Sequence, residues 1–267
     1  MDTSDIVIEI EAGIARISFN RPGKRNAISE EMRLTLATFL EKCASDRSIK
    51  VVVLRGEGKD FSAGGDLQNV DQILTLPPAE RSAFLRSANS RSMPKLSLAL
   101  LGLPQPLITG VRGNAIGLGA QLAVYSDIAV ASDTAKFSFP FSRLGHTMDH
   151  GESWLLPRTI GNRRALELLL LAETIDAVAA ERYGIVNRVV ADDQLELEIE
   201  NLARRLATGP TVAIQGTKRL LRGSGNRSIE EALVAEEQML GLCGATEDFR
   251  EAISAFFERR TPHFIGS

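Results

Sequence analysis

Two short glycine-rich segments, Phe61 to Leu67 (FSAGGDL) and Gly113 to Leu122 (GNAIGLGAQL), carry the residues best suited to chemistry in this chain of 267 residues. Each follows an apolar run of strand character and places small residues where a backbone N–H can stay free to face a ligand. One such turn means little, because glycine marks turns of every kind. Two of them, about fifty residues apart, suggest a pair of amides converging on one oxygen, a device that stabilises negative charge developing on a carbonyl. Acyl chemistry follows, on a thioester or a related acyl compound.

A second cluster, His146, Asp149, His150 and Glu152, supplies groups able to move or balance a proton. Asp149 and Glu152 have the spacing of a helix N-cap and its capping-box partner ahead of an apolar helical run, and the local sequence by itself favours that structural role over catalysis. A metal site is the lesser reading, since one short cluster without a distant fourth ligand is a weak signal. His263, in the tail, is read as exposed. A dinucleotide-binding reading of the second glycine segment fails: its spacing is GxxxGxG rather than GxGxxG, and no P-loop lysine follows either turn.

The elements that must position these groups alternate between strand and helix patterns. Ile6–Ile10 and Ile14–Phe19 read as a hairpin around Gly13, and Ser29 opens a helix to about Ala44 with Met32, Leu36, Phe39 and Leu40 on one face. Ile49–Leu54 reads as a buried strand. Residues 68–95, with Pro77, Pro78 and Pro94, read as an irregular connection with short helices that shapes a ligand pocket. Pro106–Val111 is then a strand, Gly119–Tyr125 a helix, and Ile128–Ala131 and Ala135–Phe139 two more strands, which predicts an α/β core. From Glu152 onward the pattern is helical, interrupted by one strand at Ile185–Val190. The division is a core over 1–200 and a helical region over 201–267.

Composition is that of a soluble globular protein, 44% hydrophobic and 24% charged. A formal charge of -3 argues against a nucleic-acid or anionic-membrane partner reached through bulk electrostatics. Cys43 and Cys243 lie far apart and imply no disulfide framework. No apolar leader precedes the hairpin, and the run Leu96–Val111 is broken by Pro104 and Pro106, so a cytoplasmic protein is expected.

The runs NRPGKRNAIS, FSAGGDL, GNAIGLGAQL, SDIAVAS, LPRTIG and EDFREAISAFFERR closely resemble, in order and spacing, the crotonase (enoyl-CoA hydratase/isomerase) superfamily. The resemblance implies a spiral of ββα units with a helical C-terminal region used in trimerisation, a homotrimer or dimer of trimers, and a coenzyme A thioester as substrate with no other cofactor. It assigns the two amides to Gly65 and Leu118. The Ala63 carbonyl is expected to meet the adenine, and Lys24, Arg25 and Ala27 to border coenzyme A. Phe256 and Arg259 are expected to reach the ligand of a neighbouring subunit. Asp66 and Leu67 complete the candidate binding set, although Asp66, like Asp127, also reads as a structural turn residue.

The two glutamates used by hydratases of the superfamily fall here on Gln121 and Phe141, neither of which can act as a general base. The segment LGHTMDHGESWLLPRTIG is similar instead to that of members that move double bonds, where the residue matching Asp149 is the proton shuttle. With that resemblance counted, catalysis by Asp149 is preferred to capping. Apolar neighbours such as Phe141, Leu144 and Trp154 are expected to make it a stronger base. His146 and His150 are candidates to tune it or to act beside it. The expected activity is enoyl-CoA double-bond isomerisation. A hydratase or a carbon–carbon or thioester hydrolase using Asp149 with a histidine, and a non-catalytic acyl-CoA-binding protein, stand as alternatives.

Overall fold

The computed structural model describes residues 4–66 and 73–266, residues 88 and 89 by backbone alone. Its main sheet has six strands in the order β1 (Ile6–Glu11), β2 (Ile14–Phe19), β3 (Val51–Gly56), β4 (Leu107–Val111), β6 (Ile128–Ser132) and β9 (Arg188–Val190). β1 and β2 form the expected antiparallel hairpin, and every later pairing in this sheet is parallel. A three-stranded sheet of β5 (Asn114–Ile116), β7 (Lys136–Ser138) and β8 (Thr174–Asp176) lies alongside. β5 and β8 are too short to leave a hydrophobic pattern, and the sequence reading missed both.

The run Val51-Val52-Val53-Leu54 shows why the parallel sheet forms. Val52 and Leu54 enter the larger core with α1 (Glu30–Ser45) and α2 (Pro78–Gly102), while Val51 and Val53 enter a second core on the opposite face. There Leu195, Ile199 and Ala203 of α7 (Leu195–Ala207) cover them. A strand buried on both faces has no polar side to show, so it reads as a continuous apolar run. Ser29 caps α1 by accepting the Met32 N–H at 3.2 Å.

α2 corrects the sequence reading of residues 68–95 over the part the structure describes, residues 68–72 lying outside the described residues. One continuous helix of 25 residues spans Pro78–Gly102, with Pro77 at its N-cap and Pro78 in its first turn, where a missing N–H leaves no bond unmade. Only Pro94 is interior, and it faces outward while its neighbours Met93 and Leu96 pack inward.

After α3 (Leu118–Tyr125) and the short sheet come α4 (Glu152–Ile160), α5 (Asn162–Leu171) and α6 (Ala177–Tyr183). The C-terminal helices are α8 (Thr211–Gly223), α9 (Ile229–Gly244) and α10 (Glu247–Glu258). Asp127 ties α8 to the sheet: its carboxylate accepts the Leu107 N–H and pairs with Lys218 at 2.6 Å and Arg222 at 2.8 Å. Among the described residues no helix is long and apolar enough to cross a membrane.

Candidate active site

β3 and β4 are parallel neighbours, so the segments leaving their C-terminal ends emerge side by side at one edge of the sheet. Those segments are the two glycine turns. They are zipped together by backbone bonds: Phe61 N to Arg112 O at 2.7 Å, Ser62 N to Asn114 O at 2.9 Å and Ile116 N to Ser62 O at 3.0 Å. The first turn also pairs with the loop before α1, through Ala63 N to Arg25 O, Ile28 N to Gly64 O and Asp66 N to Ile28 O at 2.8 to 3.0 Å. Gly64 N donates to the Ser62 hydroxyl at 3.0 Å.

This bonding uses the N–H of every residue from Phe61 to Asp66 except Gly65, whose N–H has no partner among the described residues. The second free donor is on α3. The helix starts at Leu118, one residue earlier than the sequence suggests, and a first-turn N–H has no acceptor within its own helix. Gly64 brings the two together. At φ +92 it is in a glycine-favoured region, and a side-chain carbon there would sit 2.6 Å from the Ile116 carbonyl and 3.7 Å from Leu118 N. Two unpaired amides thus lie near one another, one of them at a helix N-terminus where the dipole favours negative charge.

The loop before α1 forms a rim beside the first turn, with Lys24, Arg25 and Ala27 next to Ala63 and Asp66. Lys24 and Arg25 are exposed. Asp66 pairs with Arg21 at 2.8 Å, both side chains mostly buried, and Arg21 also donates to the Ala27 carbonyl. Leu67 lies outside the described residues. The sequence reading passed over the residue that shapes this rim most: Asn26 is fully buried at φ +54, accepts the Arg21 N–H and donates to the Glu57 and Asp60 carbonyls. Asp60 in turn accepts two bonds from Asn114. The only signal for them was an asparagine and an aspartate next to turn residues. Phe256 and Arg259 sit at the exposed end of α10, with the Phe256 ring against Phe257.

Asp149 is exposed on the segment leading into α4. It lies within electrostatic reach of Arg33, whose guanidinium is bonded to the Ser92 hydroxyl and the Ile28 carbonyl. Ile28 bridges Gly65, so Arg33 lies between the charge of Asp149 and the first glycine turn. The capping role weighed for Asp149 is not taken up: Gly151 is the N-cap of α4, in the left-handed region and without a side-chain bond. The expected apolar surround is also incomplete. Phe141 is buried, but Leu144 and Trp154 are exposed, and Arg158 lies 4.3 Å over the Trp154 ring.

The two histidines differ. His146 is exposed, its ring edge-on to Phe141 at 5.6 Å. His150 is buried, and desolvation, aided by the Arg33 charge, pushes it down to about 3, so its ring is neutral under ordinary conditions. Gln121 is fully buried, and both its polar atoms lack a partner among the described residues. No group of three or more His, Cys, Asp or Glu among the described residues is placed to hold a metal ion.

Known proteins place the chain in a family. The family model for enoyl-CoA hydratase/isomerase matches residues 9–267. A 1,2-epoxyphenylacetyl-CoA isomerase of Escherichia coli K12 is 36% identical, covering 98% of each chain. A 2,3-dehydroadipyl-CoA hydratase of the same strain is 34% identical, covering 98% of this chain and 99% of its own. The crystal structure of an enoyl-CoA hydratase from Mycobacterium smegmatis superposes with a TM-score of 0.87 at 30% identity, over 98% of this chain and 99% of that one. By family model, relatives and fold together, the chain belongs to the enoyl-CoA hydratase/isomerase family of the crotonase superfamily, enzymes of acyl-CoA thioesters.

Proposed function

We propose that this protein is an enoyl-CoA double-bond isomerase with Asp149 as its proton shuttle. What supports the reading is the pair of unpaired amides, Gly65 and Leu118, with Asp149 facing them across Arg33, while the two positions that would arm a hydratase hold a buried glutamine and a buried phenylalanine. In this mechanism Asp149 takes a proton from the carbon α or γ to the thioester carbonyl. The electron pair moves onto the carbonyl oxygen, where the two N–H groups stabilise the dienolate. Asp149 then returns the proton to the other carbon, so the double bond shifts and no water is added or lost. One base and two donors suffice. Coenzyme A lies along the rim of Lys24, Arg25, Ala27 and Ala63, whose two exposed cations meet its phosphates despite the acidic total charge. The likeness to an epoxyphenylacetyl-CoA isomerase supports isomerisation; the hydratase relative keeps hydration as the competing outcome.

Assembly as a homotrimer or dimer of trimers belongs to the same proposal. α9 and α10 expose Leu233, Val234, Leu240, Phe249, Ile253 and Phe256, an apolar surface of the kind that marks a protein interface. The test is a spectroscopic assay against 2-enoyl, 3-enoyl and dienoyl thioesters, repeated with Asp149→Asn. Double-bond migration that falls at least about 10²-fold in the variant is expected. Robust hydration of the 2-enoyl thioester that survives the substitution overturns the isomerase assignment, and coenzyme A binding without turnover favours a binding protein.

A further inference from the structure

Between α3 and the segment entering α4 lies a buried polar group that the isomerase mechanism leaves idle. α3 carries Gln121 and Tyr125 one turn apart, and the segment entering α4 carries His150 and Glu152, all four of them buried. The Tyr125 hydroxyl donates to the His150 carbonyl at 2.6 Å and so joins the two elements. Glu152 Oε2 accepts the His150 N–H at 2.8 Å. The glutamate therefore reaches back past Gly151, which has no side chain to tie the segment down.

We propose that Glu152 is a positioning residue for Asp149: its sealed carboxyl group, accepting the His150 N–H, fixes the backbone that carries Asp149, and fixes it most firmly while protonated. The inference rests on the isomerase reading, in which Asp149 moves the proton. An ionised carboxyl accepts N–H bonds roughly twice as strong as those to a neutral one, but at this site desolvation outweighs that gain. Ionisation is resisted by the site. Glu152 is fully buried and its Oε1 has no partner among the described residues. Desolvation pushes it up to about 7, the backbone N–H groups opposing the shift and the Asp149 charge adding to it.

The charged and titratable groups around it are few. Asp149 and the neutral His150 share its segment. From α1, Arg33 reaches His150 and Asp149. From α3 comes Tyr125, kept neutral by burial, and from α8 Arg222, bonded to the Tyr125 carbonyl. None of these cations forms an ion pair with Glu152 among the described residues. The clamp thus changes strength near neutral pH, with no neighbouring cation to hold it in one state.

The experiment measures kcat and KM from about pH 5.5 to pH 9 for the wild type and Glu152→Gln. In the wild type kcat falls through an inflection near pH 7, as ionisation of the buried acid loosens the segment that carries the proton shuttle. Glu152→Gln, a neutral isostere, is expected to fold, to lose that inflection, and to keep at high pH a kcat within about threefold of its own low-pH value, with KM little changed. An inflection that persists in the variant, or an equal loss at every pH, overturns the proposal. A second measurement needs no turnover: amide hydrogen exchange at Asp149 and His150, read by NMR in the wild type and corrected for intrinsic rates, quickens between about pH 6 and pH 8. Exchange with no such dependence overturns the clamp. Exchange that follows it in a protein that isomerises no thioester leaves the clamp standing and removes the isomerase reading alone.

Discussion

Leu118→Pro tests the second amide with little disturbance of the helix that carries it. Leu118 is the first residue of α3, so its N–H has no helical acceptor to lose, and proline is well tolerated at that position. Proline restricts the residue before it mainly through that residue's Cβ, which Gly117, at φ 52 and ψ -115, does not have. The substitution also trims a leucine side chain that is only 4% exposed, at a cost to stability of about 2–4 kcal/mol. Leu118→Ala makes nearly the same cavity and keeps the N–H, so the ratio of the two variants isolates the amide. Loss of one oxyanion donor lowers kcat by about 10²–10³, or about 3–4 kcal/mol. The assay is steady-state double-bond migration on the best thioester, with thermal melting to establish that both variants are folded. The expected result is Leu118→Ala within about tenfold of wild type and Leu118→Pro about 10²–10³ below it in kcat. A folded Leu118→Pro within about threefold of Leu118→Ala would refute a catalytic role for this amide.

Two further outcomes are expected. Gly113→Ala places a methyl 2.0 Å from the Lys59 carbonyl at φ +58, and urea unfolding should register a loss of about 2–4 kcal/mol, with kcat falling because the start of β5 and α3 must shift. Stability should also depend on pH through Glu152. Its folded pKa is raised, so the stability it contributes is complete below the ordinary glutamate value of 4.5 and is lost as pH rises toward about 7; the drop is on the order of 3 kcal/mol. Urea midpoints at pH 5 and pH 8 for wild type and Glu152→Gln would check this, the variant lacking that component of the slope.

Much of the fold was legible because burial leaves a pattern. The hairpin, α1, β3 and β4 were readable from alternation, a Ser29 cap and an apolar run buried on two faces. α2 was misread because three prolines look like punctuation, although two of them start a helix and the third lies on its outer side. β5 and β8, three residues each, are strands only because other strands lie beside them.

The candidate site divides in the same way. Residue types and their spacing on the chain determined the two glycine turns, the absence of a carboxylate at positions 121 and 141, and the presence of Asp149. Tertiary structure decided which N–H groups stay unpaired, since five of the six amides in Phe61–Asp66 are consumed by partners as distant in sequence as Arg112 and Asn114. It also gave Asn26 and Arg21 their roles in shaping the rim, and turned Glu152 from a presumed capping partner into a sealed acid bound to the His150 backbone. The physical reason is that a side chain's chemistry is a property of the residue, whereas burial, pairing and charge state depend on what segments remote in sequence bring against it.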